Sequence, residues 1–247
     1  MNWPKEILDW SEVWAPLIPL TIYFIKKPRA NWVIPILIYL LFAIFFSVWI
    51  DFTWKSVDLG IDTWCKKYLW WLYRYHNKEQ WLYNTIFYNL FSLVRVAIFS
   101  WFFIRINSHY KKFYTITLLL FILFYVINFG LFQDIMVFSS RVLAFDAGIL
   151  LGFCLSYFYK INLDDNIASP IALSQSWVVT GLTLYTAVNF FIFFFYSYIT
   201  EASSVYAKNI WNVHNFSYIM LEILIAISFW KAKKIKWSIL YCWIYDF

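Results

Sequence analysis

Apolar runs alternate with short polar or basic groups along the whole chain. Seven of these runs, 7–25, 32–50, 81–104, 113–132, 135–159, 177–199 and 210–230, are long enough for bilayer-crossing helices. The fold class this predicts is all-α: one integral membrane domain over 1–247 with seven transmembrane helices. The run 7–25 is interrupted by Pro16 and Pro19 and carries Asp9 and Glu12 in its first turn, where a helix N-terminus favours acids. It reads as a kinked span, or as a re-entrant segment that would leave six full crossings. The run 32–50 has 19 residues without a charge. The run 81–104 would reach about 36 Å as a helix, against a hydrocarbon core of about 30 Å, yet it carries Arg95 near its middle. A charge there is costly and implies a partner.

Between the second and third runs, Trp54, Val57, Ile61, Trp64, Tyr68, Trp71 and Tyr75 recur in steps of three and four, while Lys55, Asp58, Asp62, Lys66 and Lys67 fall mainly off that stripe. This spacing predicts an amphipathic helix over about 54–76, lying in the membrane interface as a scaffold or a lid. After the last run, LysAlaLysLysIleLys opens a basic tail, 231–247, whose aromatic end is too short to cross.

Composition supports this class. The chain is 63% hydrophobic and 14% charged, where a soluble domain averages about a quarter charged. The net charge of +6 would suggest nucleic acid in a soluble protein, but here the cations sit in short clusters between apolar runs, and no nucleic-acid partner is expected. The segments 26–31, 105–112, 160–176 and 231–236 together hold eleven of the 20 lysines and arginines, against five in the long connection 51–80 on the opposite face. Their common side predicts an N-terminus outside and a cytoplasmic C-terminus, in a multi-pass protein of a bacterial inner (cytoplasmic) membrane. Met1–Glu12 lacks a basic n-region, so no cleaved leader is expected. Cys65, Cys154 and Cys242 fall in a connection, a run and the tail, a distribution that suggests neither a disulfide nor a zinc site.

Helical rise assigns depths to the polar residues inside the runs. Arg95 is ten residues before Arg105 and Glu222 nine before Lys231, which puts both about 14–15 Å from the cytoplasmic edge. The expectation is an intramembrane ion pair, Arg95 with Glu222, serving as a switchable lock or a static tie. Asn128, Asp146 and Asn189 fall together at about 18–22 Å by the same reckoning and predict a midplane polar cluster, a path for ions or interhelical glue. Asn89 fits either layer. His214 and Asn215 form a candidate outer-side polar site, and a lone histidine gives no metal centre.

The chain has no His-Glu-x-x-His, Gly-x-Ser-x-Gly, Cys-x-x-Cys or Gly-rich phosphate loop, so neither an enzyme nor a cofactor is expected. The last run has no lysine for a retinal Schiff base. The Pro-interrupted first run, the WLYN-x-IF opening of the third, SWVVTGLTLYTAVNFFIF (176–193) and IWNVHNFSYIMLEILIAISFW (210–230) resemble uncharacterised bacterial seven-helix inner-membrane proteins of the sensor-module type, found beside histidine kinases. That resemblance implies a sensory or regulatory role without catalytic chemistry. The partners would be the lipid bilayer, a cytoplasmic signalling protein and a small-molecule ligand whose identity the sequence leaves open. The alternatives are a transporter or channel using Asp146, Asn128 and Asn189, and an accessory structural subunit of a membrane complex.

Overall fold

The structure is a computed structural model that describes residues 7–54, 60–70, 73–76, 79–82, 85–163, 173–196, 198–199 and 204–232. Six helical segments in it are long and apolar enough to cross a membrane: Val33–Thr53, Thr85–Ile106, Ser108–Phe132, Ser140–Leu163, Ser174–Phe194 and Asn209–Lys231. The chain thus has the build of a multi-pass membrane protein, with six such helices among the described residues.

The first apolar run breaks where its prolines demand. Helix α1, Ser11–Trp14, stops one turn after it starts, and α2, Leu17–Lys26, begins beyond Pro16, with Pro19 in its first turn where no backbone donor is lost. Lys27 then turns left-handed at φ 48°, its N–H bonded to the Tyr23 carbonyl at 2.7 Å, and Pro28 prevents continuation. The whole segment runs parallel to the last helix, α9 (Ser204–Lys231). The Asn215 amide donates to the Leu8 carbonyl at 3.1 Å near one end, and Lys26 lies over the Trp230 ring near the other. Between those points α9 rises about 22 Å. The segment therefore does not turn back on itself, and its two ends define a Glu12 end and a Lys26 end for the bundle.

The remaining long helices are α3 (Val33–Trp54), α5 (Thr85–Ile106), α6 (Lys111–Ile127, extended by a π-helical turn over Asn128–Phe132), α7 (Ser140–Leu163) and α8 (Ser174–Phe194). The connection ahead of α5 departs from expectation. Among the described residues α-helix there covers α4, Asp62–Tyr68, which is followed by a hairpin of β1, Tyr73–His76, and β2, Glu79–Leu82, paired antiparallel from Tyr73↔Leu82 to His76↔Glu79. The expected amphipathic helix over 54–76 is thus corrected. Gly60, at φ 69°, precedes α4, and Tyr73 and Tyr75 alternate with Arg74 and His76, a period of two hidden inside the steps of three and four. Because Trp81 and Leu82 belong to β2, α5 starts at Thr85 rather than 81. Residues 55–59, 71 and 72 of the expected helix, 164–172 of the 160–176 segment and 233–247 of the tail lie outside the described residues.

α9 packs against α8 and α2, α8 against α7, and α3 against α5, which also meets α6 and α7. Aromatic rings fill the centre: Phe103 lies 5.6 Å from both Tyr114 and Phe153, and Tyr39 lies 4.8 Å from Phe99. A Cβ added at Gly181 of α8 would stand 3.3 Å from the Leu221 Cα and 3.0 Å from the Leu224 Cβ, so this glycine is what lets α8 and α9 approach. Helix α6 is peripheral. Ile116, Leu119, Leu120, Leu123 and Val126 are exposed along it, as a lipid-facing helix requires.

Candidate functional site

Arg95 occupies the middle of α5 and is buried. Its Nε donates to Asp146 Oδ2 of α7 at 3.0 Å, its Nη2 donates to the same oxygen, and its Nη1 donates to the Tyr185 hydroxyl of α8 at 2.8 Å. The guanidinium carbon also lies 5.6 Å and 5.5 Å from the ring centroids of Phe91 and Tyr185. A planar cation is thus held by a carboxylate, a phenol and two aromatic rings, which together replace the water it gives up. The three helices α5, α7 and α8 are tied at one point.

The expected Arg95–Glu222 pair is corrected by this geometry. Glu222 is fully buried on α9, where the Tyr39 hydroxyl of α3 donates to its Oε1 at 3.3 Å and Oε2 has no hydrogen-bond partner among the described residues. Equal rise from an edge gives equal height but says nothing about which way each helix turns its residues. α5 packs along α7 rather than α9, and the few ångströms separating Arg95 from Asp146 in height are within reach of an arginine side chain.

The midplane cluster of Asn128, Asp146 and Asn189 does not form either. Asn128 lies in the π-helical turn after α6, its amide 3.4 Å from the Ser139 hydroxyl. Asp146 belongs to Arg95. Asn189 donates to the Tyr185 carbonyl at 2.7 Å and to the Ser217 hydroxyl at 3.4 Å, while its Oδ1 faces His214 Nδ1. Asn89 is a structural clamp: its amide donates to the Ile135 and Val137 carbonyls at 2.8 and 2.9 Å, and its oxygen accepts from the Ser139 N–H at 3.3 Å, which fixes the turn into α7.

His214 and Asn215 do fall together at the Glu12 end, with partners that spacing alone did not suggest. His214 Nε2 lies 3.2 Å from Glu12 Oε1, and its ring sits among Trp211, Phe193 and Tyr185 at centroid distances of 4.9, 5.8 and 5.8 Å. Both ring nitrogens therefore face oxygen atoms, one on α1 and one on α8. Asn215 holds the Leu8 carbonyl. The N-terminal segment is fastened to α9 through these two side chains.

A cavity of about 30 Å³ opens beside them, walled by Phe91, Phe193 and Trp211 and bordered by Glu12, His214 and Arg95. That is room for about two water molecules. It is lined both by the partly exposed Glu12 and by Arg95, the cation of the buried pair. Tyr185, Tyr39 and Glu12 join the candidate residues through these contacts without being marked as such by spacing. Tyr185 stands one helical turn before Asn189 and so shares its face, a signal that was present, whereas Glu12 was accounted for as an N-terminal acid. Among the described residues no three His, Cys, Asp or Glu side chains converge on a metal position.

No family model matches the chain, and no curated protein and no solved structure does.

Proposed function

We propose that this chain is a sensory or regulatory module of the bacterial inner membrane, without catalytic chemistry of its own, in which the kinked N-terminal segment counts as a seventh crossing. A small polar signal acts in the cavity between Glu12 and Arg95. Its occupancy alters how that segment seats on α9, and the basic connections at the Lys26 end, 105–112 foremost, pass the change to a cytoplasmic partner. The observation that carries this reading is that the wall of the cavity is itself the fastening. Glu12 and His214, which join α1 to α9, are also two of its bordering residues. A molecule bound there changes the fastening only if it favours one seating over the other, which a direct contact with Glu12 provides.

The test uses the full chain in its native membrane with a photo-crosslinker at His109. The reading expects an adduct with one defined protein, whose yield changes several-fold in Glu12→Gln and His214→Ala. Hydrogen exchange should rise in 7–14 of the same variants while 17–26 stays protected. Unchanged adduct yield together with unchanged exchange would sink it. Solute uptake by reconstituted vesicles that disappears in Asp146→Asn would instead establish the transport alternative.

A further inference from the structure

Charge is divided unequally between the two ends of the bundle. Lys26, Lys27, Arg29, Arg105, Lys111, Lys112, Lys160 and Lys231 stand at the Lys26 end. Of the carboxylates with described side chains, Asp9, Glu12, Asp51 and Asp134 stand at the other end, and Asp146 and Glu222 are inside. Where α2 finishes beside α9, this excess takes a definite form. Lys26 Nζ lies 3.4 Å from the centroid of the Trp230 ring, and on the next residue Lys231 Nζ lies 4.2 Å from that of Trp177 on α8. Lys27, held left-handed by the end of α2, is exposed beside them.

Two exposed apolar stripes lead away from that point. On the N-terminal segment Trp10, Leu17 and Phe24 follow one another at intervals of seven, and on α9 Phe216, Ile223 and Trp230 do the same. Seven residues are about two helical turns, so Leu17 and Phe24 lie along one line of α2, with Trp10 ahead of it on the segment, and Phe216, Ile223 and Trp230 lie along one line of α9. Ammonium groups resting on tryptophan faces, at the level where a membrane-length helix ends, stand at the depth of lipid phosphates, and the stripes lie at the depth of acyl chains.

We propose that Lys26, Lys27 and Lys231, framed by Trp230 and Trp177, bind the headgroup of an anionic phospholipid whose acyl chains lie along the α2 and α9 stripes. The partner is a lipid rather than an acidic protein because the cations continue directly into apolar surface, which a soluble partner would leave uncovered and a lipid covers with the same molecule. The lysines are already stacked on rings, so their placement costs the lipid little ordering, and each contributes about five-fold in affinity as cations near an anionic bilayer surface do.

The test is native mass spectrometry of the full chain released from bilayers of equal phosphatidylglycerol and phosphatidylcholine. Retained lipid should be predominantly phosphatidylglycerol. The triple variant Lys26→Gln, Lys27→Gln, Lys231→Gln should lose that preference at least ten-fold, the triple Lys→Arg variant should keep it, and Lys66→Gln with Lys67→Gln at the opposite end should leave it unchanged. If the triple glutamine variant does not fold, each single variant carries the test with its own loss of about five-fold. Equal retention of the two lipids in the wild type, or an equal loss in the Lys66/Lys67 control, would overturn the proposal.

Discussion

At the scale of single residues, Arg95 and Asp146 decide whether the interior is stable, because each is the answer to the other's charge. Removing one leaves the remaining charge buried without compensation, which costs about 3–5 kcal/mol, whereas replacing both with apolar side chains of similar volume is far less damaging. Arg95→Met and Asp146→Leu should each lower the melting temperature of the purified protein sharply, and the double variant should recover much of the loss. The coupling in this cycle should exceed that between Arg95→Met and Glu222→Gln. The reverse order would restore the Glu222 pairing that helical rise suggested. That Arg95 would be buried and paired was legible, since a lone guanidinium among 24 span residues cannot be left to lipid. Its partner was not legible. Glu222, Asp146, Asn128 and Asn189 all lie within a few ångströms of its height, and the choice among them rests on helix rotation and neighbour order, which rise does not encode.

At the scale of elements, the long apolar runs were legible because each shows its length and its polar ends directly in the chain. Boundaries slipped where a polar residue finds a tertiary partner. Asn89 and Thr85 both bond to the turn over 135–137, so α7 begins at Ser140 instead of 135. The β1–β2 hairpin is hidden in the sequence because the tyrosines of YRYH satisfy two periods at once and Trp81 and Leu82 continue directly into the apolar run of α5, and only strand pairing separates them. The N-terminal segment was legible as irregular from its prolines, but its fastening through Glu12 was not. Helix contact itself turns on Gly181. Gly181→Val would press a branched side chain against the Leu221 backbone, and overpacking of this kind costs about 1–3 kcal/mol. Thermal melting should show that loss, and Gly152→Ala, where a Cβ meets nothing within 4 Å, should leave the melting point nearly unchanged.

At the scale of the whole molecule, the segregation of charge predicts how the bundle sits in its membrane. Of the segments at the Lys26 end, 26–31, 105–112 and 231–236 are short and strongly basic while 160–176 carries Lys160 alone, and short basic segments are retained on the cytoplasmic side, whereas carboxylates contribute little to the choice. Lys5, Arg141, Lys208 and the five cations of the 51–80 connection, Lys55, Lys66, Lys67, Arg74 and Lys78, count the other way, eight against the eleven in the segments of the Lys26 end, so the balance favours that end as cytoplasmic. Cysteines introduced at exposed positions should therefore separate into two classes under a membrane-impermeant thiol reagent applied to intact cells. Ile7→Cys and Lys66→Cys should be labelled, and Lys111→Cys and Lys231→Cys only after permeabilisation. The opposite pattern would invert the bundle, placing the Glu12 cavity on the cytoplasmic side and the headgroup site in the outer leaflet. A signal entering beside His214 would then come from inside the cell, and the 105–112 connection would face away from any cytoplasmic partner. Labelling of Ile7→Cys and Lys231→Cys on the same side would contradict the parallel course of the N-terminal segment and α9, since Glu12 meets His214 near one end of the bundle and Lys26 meets Trp230 near the other.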